Sequence, residues 1–175
     1  MHLCVLLSMI WATSTFVVDK DDHMNSTQLY SHTNMVVAGK HATIINKYGK
    51  SVDVRPFSRD CSKLEAVPIV DSIIAYEYPY SMNAYFLVMS NFLYVPSIQN
   101  NLILSFVMRE VGLIINDVPK IHVHSEDLNK ESHGIFSREV DGNIVLRIPL
   151  KLDVIFSYFL TRKLTEDEVD NCDYI

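Results

Sequence analysis

The 175 residues include only three cysteines, Cys4, Cys61 and Cys172, far apart and odd in number. They fit no metal-site spacing and no paired disulfide framework, so reduced thiols are the default expectation. Positive charge is also scarce: 15 Lys and Arg stand against 21 Asp and Glu, for a formal charge of −6, and the cations do not cluster. Neutralising phosphates needs such clusters, so a nucleic-acid partner is not expected. There is no Gly-rich phosphate loop, no internal repeat, no low-complexity tract and no Ser-His-Asp order to assemble. Neither cofactor nor metal is expected. His122 and His124 would share one face of a strand, with His133 near in sequence, but no carboxylate or cysteine stands at ligand spacing, and they read as solvent-facing.

A long hydrophobic run is missing as well. Met1 to Val18, MHLCVLLSMIWATSTFVV, is the one segment that could address a membrane, yet it lacks a basic leading region and is interrupted by Ser8, Thr13, Ser14 and Thr15. It reads as a signal-like segment, a buried strand or an extension ahead of the domain. The expected location is the cytoplasm, with secretion as the minority reading and membrane contact only if this segment is a signal. Asn25-Ser26-Thr27 is a glycosylation sequon, meaningful only in a secreted chain.

What is present is β-structure. Gln28 to Lys40 reads as strand, tight turn, strand. His41 to Ile45 and Val52 to Phe57 read as a hairpin turning at Tyr48-Gly49. Val67 to Tyr78 and Ala84 to Tyr94 flank PYSMN as a long hairpin. Leu113 to Val123 reads as a strand broken at Pro119, and Ile135 to Val140 with Ile144 to Ile148 as a hairpin around Asp141-Gly142-Asn143, where glycine supplies positive φ. KLDVIFSYFLTRKL is apolar enough to need cover from this core or a neighbouring module, and TEDEVDNCDYI is expected to trail into solvent. The divisions this suggests are an N-terminal extension over 1–24, a β domain over 25–124, a C-terminal hairpin and apolar extension over 125–165, and an acidic tail over 166–175.

One stretch organises the rest: Asn91 to Val111, NFLYVPSIQNNLILSFVMREV. Phe92 to Val95 are strand formers, and Pro96 ends the run because it has no N–H for a ladder. Asn100 or Asn101 can cap a helix that follows, expected at about 102–111. Its apolar set is Leu102, Ile103, Phe106, Val107 and Val111, mostly on one face, and Gly112 offers the stop.

LYVPSIQNNLILSFVMREVGL resembles the segment of copia-type retrotransposon polyproteins in which a strand, a Val-Pro turn and an Asn-Leu helix close the retropepsin-like protease domain. The likeness extends over roughly Tyr30 to Lys163, through VPIVDSIIAYEYPYSMNAYFLVMSNFLYVP, INDVPKIHV and RIPLKLDVIFSYFLTRK. It implies a mainly β fold: a small closed retropepsin-like barrel with one principal helix. It also implies an ancestral aspartic endopeptidase that processed its own polyprotein and worked as an isologous homodimer on a polypeptide substrate.

The same resemblance locates the catalytic residues. The family has a strand leading into Asp-Ser or Asp-Thr, in some copia-type elements Asp-Ser-His-Ala. The matching residues here are Tyr30-Ser31-His32-Thr33, with tyrosine where the aspartate belongs. Two carboxylates sharing a proton must activate the water, and a phenol with a pKa near ~10 is a neutral donor that cannot take that part. The chain is therefore expected to be an inactive descendant, with Ser31 a turn hydroxyl and His32 lacking a carboxylate placed beside it. Val70-Asp71-Ser72 looks like the motif, but Ile73 disfavours the tight turn, and the alternation around Asp71 reads as a strand continuing to Tyr78. The PYSMN hairpin falls in the flap region of the family, which makes Tyr78, Tyr80 and Ser81 candidate binding residues; its tyrosines can equally pack across strands with no substrate. The competing expectation is a non-enzymatic β domain that binds a protein partner through this hairpin or through the FSYF segment.

Overall fold

The computed structural model describes residues 7–11, 24–30, 35–55, 62–79, 84–118, 132–138, 143–153 and 156–171, with the single positions 122, 124, 126, 129 and 141. In chain order the strands are β1 Leu7–Trp11, β2 Met24–Leu29, β3 Val37–Ala38, β4 Thr43–Val54, β5 Leu64–Glu77, β6 Ala84–Tyr94 and β7 Asn101–Ile103. Helix α1, Ser105–Glu110, follows, then β8 Ile114–Asn116, β9 Gly134–Arg138, β10 Ile144–Pro149, β11 Lys151–Asp153, β12 Phe156–Arg162 and helix α2 Glu166–Asp170. The protein is mainly β, as its sequence indicates.

Among the described residues, nine strands form one sheet in the order β1-β6-β3-β7-β2-β12-β5-β4, with β11 beside β12. β5 also pairs with β6, so the pairings run β5–β6–β3–β7–β2–β12 and return to β5 where Arg162 lies opposite Ala75. Two of these pairings are parallel, β2 with β7 and β3 with β6. A second sheet, β10-β9-β8, lies over the main core.

Burial explains why β5 and β6 are such long apolar runs. Ile74, Tyr76, Leu87, Met89 and Phe92 enter the main core with Ile103, Met108, Ile135, Ile148 and Phe159. Ile73, Ala75, Phe86 and Val88, on the opposite face, are covered by Leu164. Both faces are therefore buried, and burying a large aliphatic side chain contributes about 1.5–3 kcal/mol. Phe159 is 1% exposed and joins this core, while Phe156 and Tyr158, on the other face of β12, are half-buried.

Several local expectations change. Asn101 to Ile103 is a strand, so the helix spans Ser105 to Glu110 and not 102–111. Leu102 and Ile103 satisfy a strand period as well as a helical one, and their backbones pair with Gln28 and Leu29. Phe106, expected on the apolar face, is 50% exposed, and Met108 is fully buried. Gly112 has φ +88, the left-handed stop expected there.

Tyr48-Gly49 does not turn a hairpin. β4 runs straight through it, and Lys47 opposes Val70 while Ser51 opposes Pro68, so two extra residues bulge out around Gly49 at φ +65. The hairpins β5–β6 and β9–β10 form as expected. Between Leu113 and Val123 the described strand is only Ile114–Asn116, and His122 and His124 are exposed outside any strand. Leu7 to Trp11, from the signal-like segment, pairs with Met89 to Tyr85 as an edge strand. The sequon lies within β2, where the Thr27 hydroxyl is fully buried against Thr161. The acidic tail forms α2 behind a capping box, Thr165 and Glu168 bonding each other's backbone N–H, and Glu168 is buried.

Candidate functional site

β2 delivers Tyr30 to its end. Alternation along the strand turns Thr27 and Leu29 inward, and the Tyr30 N–H donates to the Ile103 carbonyl at 3.0 Å, which extends the parallel β2–β7 pairing by one residue. Tyr30 is half-buried. Ser31 and His32, expected beside it, lie outside the described residues, as do Tyr80 and Ser81.

Three residues before Tyr30 on β2, Thr27 belongs to a buried polar chain that sequence reasoning missed. The Asn101 side-chain oxygen accepts the Gly39 N–H at 2.9 Å, and its nitrogen donates to Thr27 Oγ1 at 3.3 Å. Thr27 Oγ1 in turn lies 2.9 Å from Thr161 Oγ1. Asn101 and Thr161 are 1% exposed and Thr27 is 0% exposed, so these bonds replace water for groups that would otherwise be costly to bury. The chain ties β7, β2 and β12 to the turn at Gly39. Its one visible signal was a polar residue opening the apolar run LIL, which also fits a helix cap.

Tyr78 stands at the other candidate position. Its ring meets Tyr85 edge-on at 6.0 Å, Tyr85 stacks on Tyr76 at 6.4 Å, and Tyr76 meets Phe159 edge-on at 6.1 Å. A ladder of rings thus leads from the hairpin base into the core. Burial, and then the neighbouring Tyr78, pushes the Tyr85 phenol up from its ordinary value. Tyr30 and Tyr78 stand at the ends of β2 and β5, with β12 between those strands.

Asp71 is occupied structurally. Its Oδ1 accepts the Asn91 N–H at 2.9 Å, and its Oδ2 accepts from the Tyr48 hydroxyl at 2.5 Å and from Asn46 Nδ2 at 3.3 Å. Asn91 has φ +61, at a bulge where β6 fits one extra residue between the partners of Val70 and Ser72. The carboxylate therefore pins bulges on both of its neighbours, β4 and β6.

His133 is buried with φ +53, and its Nε2 is 2.9 Å from Ser157 Oγ, so it joins β12 to the start of β9. Among the described residues no three His, Cys, Asp or Glu side chains group so as to hold a metal. No helix among them is long and apolar enough to cross a membrane. Compared with protein-family models, curated proteins and solved structures, the chain matches none.

Proposed function

We propose that this chain is a retropepsin-like domain of copia-type retrotransposon descent, from a lineage that cleaved its own polyprotein as an aspartic endopeptidase, and that Tyr30 has removed the activity. The observation that carries the reading is where Tyr30 stands: at the end of a strand, backbone-bonded to Ile103, and followed in sequence by Ser31 and His32, which resemble the family's Asp-Ser-His-Ala with tyrosine in the aspartate's place. The return of the pairings from β12 to β5 supports a closed barrel as the form of the fold.

In such a domain each lobe supplies one carboxylate, and the pair shares a proton to activate a water. Tyrosine at the end of β2 offers a neutral hydroxyl and greater bulk, so even a homodimer would bring together two phenols and no base. Asp71 does not compensate, because its oxygens already accept three bonds.

The second reading, a non-enzymatic module that binds a protein, draws on the Tyr78-Tyr85-Tyr76 ladder at the hairpin base. Both readings are tested by restoring the carboxylate in Tyr30→Asp and assaying cleavage of a denatured protein at mildly acidic pH. Cleavage supports the protease lineage. Its absence in a folded, dimeric variant favours the binding module.

A further inference from the structure

Arg162 ends β12 at the place where the main sheet changes partners, opposite Met24 of β2 and Ala75 of β5. Its side chain is 4% exposed and every guanidinium nitrogen is engaged. Nε donates to Glu77 Oε1 at 2.7 Å, while Nη1 and Nη2 fork onto Glu168 at 2.6 and 2.8 Å; Nη1 also reaches the Lys163 carbonyl at 3.1 Å. Glu77 closes β5, two residues after Ala75, and is followed directly by Tyr78 of the hairpin. The two carboxylates differ: the Glu77 side chain is 39% exposed and that of Glu168 only 2%.

The segment carrying Glu168 has further anchors. The Leu164 N–H donates to Thr43 Oγ1 at 3.2 Å, and the Leu164 side chain packs on Ile73, Ala75, Phe86 and Val88 with Val169 against the same group. The segment therefore lies across the outer face of β5 and β6 and touches β4.

We infer that residues 163–171 form a strap: Glu168, seated on Arg162, keeps β12 paired with β5 and holds the base of the β5–β6 hairpin through Glu77. A buried guanidinium that loses its buried carboxylate keeps only the half-exposed Glu77 to offset its charge, and the backbone around it opens to water to relieve it. Whatever draws α2 away from the domain would therefore loosen the hairpin carrying Tyr78. The inference rests on the geometry of Arg162 and does not depend on the protease reading.

Amide hydrogen exchange on the full chain tests it. In Glu168→Gln, the amides of Ala75 to Tyr78 and of Arg162 to Leu164 exchange about tenfold faster or more, while those of β9 and β10 keep their rates. Glu77→Gln gives the same pattern at smaller amplitude, because Glu77 is already half in water. Thr165→Ala, which weakens the cap of α2 and leaves every charge in place, decides the matter if Glu168→Gln does not fold: the seam amides speed up together with those of α2. The strap is overturned if α2 exchanges freely in Thr165→Ala while the seam is unchanged, or if the seam does not respond to Glu168→Gln. Uniform acceleration that includes β9 and β10 would likewise overturn it, as loss of global stability alone.

Discussion

The Asn101 side-chain oxygen accepts the backbone N–H of Gly39 across 62 residues of sequence, at 2.9 Å, and this contact lets the turn after β3 lie directly against the chain entering β7. A Cβ built on Gly39 would meet the Asn100 carbonyl oxygen at 2.5 Å and the Ile98 carbonyl oxygen at 2.8 Å. Both obstacles are backbone, so glycine is required by close approach and not by its φ.

Two substitutions test this junction. Asn101→Ala strands the Gly39 N–H and one bond to Thr27, and is expected to lower unfolding stability by about 2–3 kcal/mol. Gly39→Ala must push two backbone segments apart and is expected to cost about 2 kcal/mol or more. Urea denaturation measures both, and loss of less than about 0.5 kcal/mol in each would show that the junction is slack.

Ser72 carries the opposite expectation. It is fully buried in β5, and its hydroxyl makes no hydrogen bond among the described residues. Ser72→Ala removes an unpaired polar group at the cost of a small void and is expected to stabilise by about 1 kcal/mol. A raised denaturation midpoint with an unchanged slope would bear this out. A lowered midpoint would mean that the hydroxyl has a partner.

The Tyr48 hydroxyl donates to Asp71, and that bond, ahead of burial and of the carboxylate's charge, raises the phenol above its ordinary value of 10.0. The folded protein holds this proton more tightly than the unfolded chain does. The resulting stability is therefore complete below the ordinary phenol pKa and is lost as pH rises through the elevated folded value. Tyrosine ring NMR, with Tyr48→Phe assigning the signal, should show Tyr48 titrating above the ordinary value, and titrating lower in Asp71→Asn. Identical titration in both proteins would remove Asp71 as the cause.

The parts of the fold legible in the sequence are those whose signal is local. PYSMN between two apolar runs and Asp141-Gly142-Asn143 between β9 and β10 each announce a hairpin through residues that are adjacent in the chain. Ambiguity came where one residue serves two geometries. Gly49 supplies positive φ to a bulge as readily as to a turn, and Leu102-Ile103 fits strand and helix periods alike. The pairing of Glu168 with Arg162 joins a helix to a strand end, and only its local half, the Thr165 to Glu168 capping spacing, could be read in advance.

The candidate site divides in the same way. Tyr30 at a strand end follows from alternation and from the wording of YSHT, and the structure does find a strand ending there. That Thr27, Asn101, Gly39 and Thr161 would meet depends on which strands pair, β2 with β7 and with β12, and no stretch of sequence carries that by itself.

The central claim is that Tyr30 occupies the place of a catalytic aspartate, and the most direct measurement is peptidase activity of the unmodified chain beside Tyr30→Asp and Asp71→Asn, on denatured protein at mildly acidic pH. The account predicts cleavage by Tyr30→Asp alone. Cleavage by the unmodified chain, abolished in Asp71→Asn, would contradict it and move the site to β5.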